Sequence, residues 1–243
     1  MRFLFLFFYS FLALEVGAQK IVNLVFVGDK GATANPKEAK FFIVVKEFGN
    51  RLQRLDYKMG GPMVKESNFI DSNLQILDGP YYEYDAEGAL SKSGNYLKNL
   101  KDDEWRNYND TGKVTLIETY LNGLLIKTTD PDTIPIREVS KEKKEGEKEA
   151  EYGKNGAIWK KFLQKNLRGE VGAESAKGGT VRIGFTVDTL GKCVDIYVRK
   201  SVEFVLDEEV KRIIAASPLW SPAEQDGKKV KAFRIQPITF VKQ

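Results

Sequence analysis

The sequence predicts an α+β protein in which an N-terminal all-β domain of repeated hairpins precedes a small C-terminal α+β domain. Over residues 40–127, aromatic residues and glycines recur at a fixed offset, which indicates stacked hairpins. Beyond residue 155, apolar residues first recur at helical spacing and then alternate with polar ones, which indicates the order helix, β-hairpin, helix, strand. The predicted division is a signal peptide at 1–18, the β-rich repeat domain at 19–136, a charged linker at 137–154 and the C-terminal domain at 155–243.

The first 18 residues have the composition of a cleaved export signal. Arg2 precedes an apolar run from Phe3 to Leu14, and Val16-Gly17-Ala18 supplies the small-x-small pattern that signal peptidase recognises. The run is shorter than the roughly 20 apolar residues that a membrane-spanning helix needs. The sequence therefore predicts export to the periplasm of a Gram-negative-type envelope. The alternative is an uncleaved N-terminus that anchors the protein in the inner membrane, facing the periplasm.

The 243-residue chain contains no histidine and a single cysteine, Cys193. The lack of histidine excludes Ser-His-Asp and Cys-His catalysis, zinc sites that need histidine and the commonest general base near neutral pH. A single cysteine excludes an internal disulfide. The net charge of +4 is too small over this length to indicate nucleic-acid binding. We therefore predict that the protein is not an enzyme and has no catalytic, cofactor or metal site.

The N-terminal domain carries an internal repeat with an offset of 24 residues. Six positions recur in register: Tyr81, Tyr84, Gly88, Leu90, Tyr96 and Leu97 match Trp105, Tyr108, Gly112, Val114, Tyr120 and Leu121. A looser unit of glycine and an aromatic residue eight positions later occurs four times: Gly49/Tyr57, Gly61/Phe69, Gly88/Tyr96 and Gly112/Tyr120. Each unit predicts an aromatic strand, a turn with glycine at positive φ and a returning strand. One hairpin cannot bury its aromatic face, so the units are expected to stack.

The first clear copy, Gly79–Gly88 with Asn95–Asn99, resembles the MORN-type repeat of bacterial antitoxin-like proteins. The second copy, Trp105–Gly112 through Tyr120–Gly123, keeps the Tyr-x-x-Gly element of that repeat. The resemblance spans roughly residues 40–127 and implies a scaffold or an interaction surface.

Two other uses of this domain were weighed. The aromatic rings could form a platform on which glycan rings stack. Asp102, Asp103 and Glu104 could serve a hydrolase, which needs two facing carboxylates, but they are predicted to lie in a solvated turn between repeats.

Residues 137–154 contain six charges of each sign and almost no apolar residue. This composition predicts a solvated linker, in part helical through pairs of glutamate and lysine.

The first C-terminal helix is predicted to open near Asn155, with its apolar residues on one face: Ile158, Trp159, Phe162, Leu163 and Leu167. A β-hairpin with a turn at 188–192 follows. Apolar residues alternate in both of its strands: Val181, Ile183, Phe185 and Val187, then Val194, Ile196 and Val198. This alternation places Cys193 on the less apolar face.

The second helix is predicted from Leu206, Val210, Ile213 and Ile214. Its first turn carries Asp207, Glu208 and Glu209, where the helix dipole favours negative charge. The last strand, about Val230 to Phe240, is expected to be bent or interrupted at Pro237 because proline cannot donate to a ladder. A sheet with so few strands is expected to leave edges exposed.

The C-terminal residues closely resemble the C-terminal domain of TonB over nearly all of 155–241. The matching stretches are FLQKNL (162–167), GTVRIGFTVD (179–188), GK (191–192), LDEEV (206–210), PLWSP (218–222), GKKV (227–230) and PITF (237–240). One departure is Arg168-Gly169, where members of the family usually carry Tyr-Pro.

In that family the domain binds a short extended peptide of an outer-membrane receptor by strand addition beside its last strand, and the resemblance implies the same here. An edge strand offers unpaired N–H and C=O groups, and pairing of the backbones supplies affinity. Carried onto this sequence, the partner-binding edge consists of Val230, Lys231, Ala232, Phe233, Arg234, Ile235 and Gln236.

The predicted function is thus that of a periplasmic TonB-like module that binds an extended segment of an outer-membrane transporter or another envelope partner. The partner is a protein, possible receptors being the TonB-dependent ones, and membrane association comes through partners only. One alternative is a membrane-anchored energy transducer of the TonB type, which N-terminal sequencing distinguishes. The other is a cell-wall glycan-binding protein, which titration with peptidoglycan fragments distinguishes.

Overall fold

The computed structural model describes residues 20–133, 147–153 and 156–242. The predicted signal peptide and residues 137–146 of the predicted linker lie outside the described residues. No helix in the described part of the chain is long and apolar enough to cross a membrane.

The N-terminal half forms one antiparallel sheet of ten strands, in which each hairpin lies beside the next. The sheet order is β10-β9-β8-β7-β6-β5-β4-β3-β1-β2. The strands are β1 Lys20–Gly28, β2 Gly31–Thr33, β3 Phe41–Phe48, β4 Arg51–Lys58, β5 Met63–Phe69, β6 Gly79–Tyr84, β7 Leu90–Leu97, β8 Leu100–Tyr108, β9 Val114–Leu121 and β10 Leu124–Thr129. Short 3-10 turns span Pro36–Glu38 and Pro131–Thr133.

The 24-residue repeat is visible in the strand bounds themselves. β6 ends at Tyr84 and β8 at Tyr108, while β7 and β9 both begin 24 residues apart, at Leu90 and Val114. Gly88 and Gly112 have φ of +83° and +82°, so the predicted turn conformation is confirmed in both copies. The predicted all-β hairpin-repeat domain is therefore confirmed.

The three acids 102–104 lie elsewhere than predicted. They belong to β8, and the turn between the two repeats is made by Lys98 and Asn99, which have φ of 48° and 70°. Asn99 supplies the positive φ that the first copy needs at this point, because asparagine tolerates the left-handed region better than most residues.

The C-terminal half has the predicted α+β order with two additions. Its elements are α1 Ala157–Asn166, α2 Gly169–Glu174, β11 Gly179–Val187, β12 Cys193–Lys200, α3 Phe204–Ala215, β13 Ala223–Gln225, β14 Lys228–Val230 and β15 Ala232–Phe240. The main sheet has the order β12-β11-β15, and β13 and β14 form a separate two-stranded hairpin. The short helix α2 and this hairpin are the additions. The predicted fold class is confirmed.

A β-bulge in β12 corrects the predicted position of Cys193. The register of β12 against β11 shifts near Asp195, which has a positive φ of 51°. A bulge moves the residues before it to the opposite face. Cys193 therefore packs against the core, where burial raises the pKa of its thiol.

The last strand is unbroken, so the expected interruption at Pro237 is wrong. β15 keeps one continuous register with β11 from Gly179↔Phe240 to Val187↔Ala232, and Pro237 lies opposite Arg182 within it. Proline is tolerated there because β15 is an edge strand and the missing N–H is not needed for the ladder.

One face of the ten-stranded sheet packs against the C-terminal half, so the two halves share a hydrophobic core. Buried members from the sheet are Val44, Leu55, Tyr57, Met63, Tyr84 and Leu90, and those from the C-terminal half include Ile183, Phe185, Val198, Leu206, Val210 and Ile213. A core of this extent fixes the orientation of the C-terminal sheet relative to the repeats.

The described end of the charged segment, 147–153, lies against the C-terminal half. It pairs antiparallel with the strand entry at 221–224, through bridges Lys148↔Glu224 and Glu151↔Ser221. Ala150 is buried, and the Tyr152 ring lies 5.2 Å from that of Trp159. This part of the segment is docked rather than solvated, while the predicted domain boundaries remain predictions.

Candidate partner-binding edge and the domain junction

The outer side of β15 is the candidate site. On its inner side β15 pairs with β11 along its whole length. Within the described ranges, no strand, isolated bridge or backbone hydrogen bond lies on its outer side. The backbone groups on that side are therefore available to another polypeptide.

Pro237 identifies which backbone groups point outward. The ladder with β11 is continuous at Pro237 although proline has no N–H, so this residue must be one whose backbone groups point away from β11. Because direction alternates along a strand, the N–H and C=O groups of Phe233, Ile235 and Thr239 also point outward. Pro237 itself offers only its C=O.

The predicted edge residues fall into three groups. Val230 ends β14 and pairs with Ala223, and Lys231 connects β14 to β15. The remaining five lie in β15, but with different roles: Phe233 and Ile235 face outward, whereas Ala232, Arg234 and Gln236 pair with β11. The first two residues of the predicted edge are thus outside the strand that carries it.

Arg234 is engaged on the helix-facing side of the sheet. Its Nε donates to the C=O of Ala150 at 2.8 Å, and its Nη2 lies 3.2 Å from the Glu149 carboxylate. These contacts hold the docked segment 147–153 against the inner face and leave the outer edge uncovered.

An aromatic row crosses the outer face of the sheet and ends at the edge strand. Phe233 is 47% exposed, and its ring stacks with that of Tyr197 at 6.1 Å. Tyr197 in turn stacks on Tyr82 of the repeat sheet at 5.0 Å. Gly184 lies between the strands, and a Cβ there would be 2.9 Å from the Phe233 ring, so only glycine allows this arrangement.

Comparison with known protein families identifies the domain that carries this edge. Residues 170–241 match the family model described as Gram-negative bacterial TonB protein C-terminal. The C-terminal domain belongs to the TonB C-terminal family. No curated protein and no solved structure matches the chain.

The predicted recognition is confirmed for this TonB-type domain, and the MORN-type resemblance of the repeats stays a prediction. The TonB C-terminal family consists of interaction and energy-transducing domains rather than enzymes. The match therefore indicates a TonB-like interaction role in a Gram-negative cell envelope.

The opposite side of the TonB-type sheet is occupied by the repeat domain. The N–H of Ser201 donates to the C=O of Gly88 at 2.8 Å, and Arg199 Nη2 donates to the C=O of Gly112 at 2.8 Å. Gly88 and Gly112 are equivalent positions of the repeat, so successive repeat turns contact β12 and its end. At Gly88 a Cβ would lie 2.5 Å from the Ser201 carbonyl oxygen, which explains glycine there beyond its positive φ.

A buried polar network fastens α3 of the TonB-type domain to the repeat sheet. Asp207, which is fully buried, accepts hydrogen bonds from Tyr57, from Ser201 and from the N–H of Val202. Ser201 Oγ also accepts from the N–H of Met63 at 2.7 Å. Burial raises the pKa of Asp207 to about 7, although the three hydrogen bonds act in the opposite direction.

Two ion pairs flank this network. Lys46 of β3 pairs with Glu208, and Lys211 Nζ lies 3.0 Å from the Glu66 carboxylate of β5. Burial lowers the pKa of Lys46, and Glu208 opposes that effect. Each pair joins a strand of the repeat sheet to α3, so the junction is polar at its rim and apolar at its centre.

Arg168, the departure from the family pattern, has a clear structural role. Its Nε donates to the fully buried Glu209 at 2.8 Å, and its own N–H donates to the same carboxylate at 2.9 Å. Arg212 completes the site. Burial alone would raise the pKa of Glu209, but the hydrogen bonds from Arg212 and Arg168 outweigh it and lower the pKa.

The aromatic rings on the far face of the repeat sheet pack on one another. Trp105 is 2% exposed and lies 4.9 Å from Tyr96 and 5.7 Å from Tyr81. A Cβ at Gly94 would lie 2.1 Å from the Trp105 ring, so this glycine makes room for it. Packing between repeats thus accounts for the central ring of this cluster.

Proposed function

We propose that the chain is a periplasmic interaction module that binds an extended segment of an outer-membrane transporter, or of another envelope protein, by strand addition along β15. The observation that carries the proposal is the outward direction of the Phe233, Ile235 and Thr239 backbone groups on a strand that is fully paired on its other side. A guest strand would gain main-chain hydrogen bonds at these residues, which is the basis of affinity in strand addition.

The side chains of the same residues favour a guest with apolar residues. Phe233 and Ile235 are each 47% exposed and project from the outer face beside the position of an added strand. A guest side chain opposite either of them could bury apolar surface there, because cross-strand neighbours lie close together. Lys231, just before the strand, is exposed and adds a positive charge at one end.

A pull-down with two variants at one position tests this proposal. Phe233→Pro removes an outward N–H without removing a bond to β11, whereas Phe233→Ala removes the same ring and keeps the N–H. We expect membrane-extract partners, identified by mass spectrometry, to be retained by the alanine variant and lost from the proline variant. Equal capture by the proline variant, with both variants melting alike, would refute strand addition at β15.

A further inference from the structure

A cleft of about 550 Å³ lies where the repeat turns meet the outer face of the TonB-type sheet. Its walls include Glu87 and residues 110–112 from the two turns, together with residues of β11, β12 and β15. The volume is within the ~300–1,000 Å³ that is usual for ligand sites. The cleft therefore belongs to both domains and exists only because they are docked.

The charges that line the cleft are unbalanced. Four cations face two carboxylates: Lys177, Arg182, Arg199 and Lys200 against Glu87 and Asp110. Arg182 and Lys200 are direct cross-strand partners in the β11–β12 ladder, and like charges in that position destabilise a sheet. Within the part of the chain that the structure describes, neither forms an ion pair with an acid. An arrangement that costs stability without a ligand points to an anionic one.

Arg199 is held in place before any ligand arrives. Its Nη2 donates to the C=O of Gly112, and its guanidinium carbon lies 4.6 Å from the centre of the Tyr108 ring. A guanidinium fixed in this way loses little side-chain entropy when it pairs with a carboxylate. The repeat domain thus contributes both a wall and an orienting contact.

We propose that this cleft is a second binding site, which takes an acidic peptide segment of a partner protein. The carboxylates of that segment pair with Arg182, Lys200 and Lys177. The lining also includes the apolar side chains of Pro62, Val202 and Ile235. A peptide can use the cationic and the apolar parts together, whereas a small inorganic anion can use only the cations. The site does not require strand addition, although Ile235 connects it to the edge of β15.

Titration of the full chain with a fluorescent tetraglutamate peptide tests this proposal. We expect binding that weakens as salt is raised, and no binding of tetraglutamine. The double variant Arg182→Gln/Lys200→Gln should bind about tenfold more weakly, since both cations are lost. The matched control is Lys160→Gln/Lys161→Gln on the exposed side of α1, which should bind as the native chain does. Melting curves of both double variants confirm that they are folded.

Three results would overturn the proposal. Tetraglutamine could bind as tightly as tetraglutamate, or the Arg182/Lys200 variant could bind tetraglutamate as tightly as the native chain. Inorganic phosphate could also displace the peptide at equal concentration, which would make the cleft a site for a free oxyanion. Phe233→Pro should keep tetraglutamate binding because Phe233 does not line the cleft, so failure of strand addition is distinguishable from failure of this site.

Discussion

The two outer strands of the TonB-type sheet, β12 and β15, have opposite surroundings. The repeat domain reaches β12 through equivalent turns, with Gly88 at its end and Gly112 on Arg199. β15 is paired with β11 on one side, and in the described residues its other side has no backbone partner. The difference teaches that the repeats do more than add a neighbouring domain: they occupy one side of the small sheet and leave a single strand for a guest.

A third edge strengthens this comparison. The docked segment 147–153 pairs with the entry to β13 through Lys148 and Glu151, so the chain itself already performs strand addition there. The chain therefore covers β13 and crowds β12 but leaves β15 exposed. Exposed edges are usually protected in soluble proteins, and the selective exposure of β15 is what a binding edge requires.

The largest expected effect comes from the contact of Gly88 with Ser201. Gly88→Ala would place a Cβ 2.5 Å from the Ser201 carbonyl oxygen and 2.6 Å from Pro62 Cβ. We expect a loss of about 3 kcal/mol in the free energy of unfolding, from overpacking added to backbone strain. Urea denaturation measures it.

Gly60→Ala is the matched control for that variant. Gly60 also has a positive φ, of 58°, but nothing lies within 4 Å of its Cβ position. Its expected cost is about 1 kcal/mol, from the backbone conformation alone. Equal losses in the two variants would mean that the docking of the repeat turn on β12 does not contribute to stability.

A smaller effect is expected at Arg168, which helps to hold α3 beneath the sheet. Arg168→Met removes two hydrogen bonds from the buried Glu209 and leaves Arg212 and one backbone N–H. We expect a loss of about 2 kcal/mol in unfolding free energy, since a buried carboxylate becomes under-paired. Lys165→Met, on the exposed part of α1, should cost almost nothing in the same urea experiment. A tolerated Arg168→Met would show that Arg212 alone satisfies Glu209.

Asp207 makes the junction sensitive to pH. Its folded pKa of about 7 lies above the ordinary value of 3.8, so between those values the folded protein keeps a proton that the unfolded chain releases. Stability from this group is therefore present at low pH and is lost as pH rises towards 7, by at most about 1.4 kcal/mol per pH unit. In Asp207→Asn this slope should disappear. Unfolding free energies at several pH values check it, and identical slopes in both proteins would contradict a raised pKa.

The smallest expected effect comes from the hydroxyl that joins the sheet to this network. Tyr57→Phe removes the 3.0 Å hydrogen bond to Asp207 and keeps the ring stacked on Phe42. A loss of about 1 kcal/mol in unfolding free energy is expected, the usual contribution of one such bond. Tyr120→Phe, on the far face of the repeat sheet, provides a hydroxyl deletion outside the junction. If the two losses are equal, the Tyr57 hydroxyl has no special role there.

The sequence predicted whatever depends on local pattern. Turn glycines such as Gly88 and Gly112 fixed the hairpin register, and the alternation from Val181 to Val187 located β11. Contacts between distant residues were beyond it. Asp207 was expected at a helix start, and only the approach of Tyr57 makes it a buried hub. Cys193 was placed on the wrong face because one inserted residue, Asp195, inverts the alternation that periodicity assumes.

The candidate site was predicted in outline. The last strand and its residues 232–236 were anticipated, but the alternation between inward and outward backbone groups follows from the register of Pro237 against Arg182, which only the structure gives. The cleft was not anticipated, because Arg182 and Lys200 become neighbours through strand pairing and meet Glu87 only through domain docking.

Residue-resolved amide hydrogen exchange along β15 tests the open edge most directly. The account predicts alternation: the amides of Arg234, Gln236 and Ile238, which bond to β11, exchange slowly, while those of Phe233, Ile235 and Thr239 exchange quickly in the isolated protein. Slow exchange at all six positions would show that the outer side of β15 already has a partner and would contradict strand addition there.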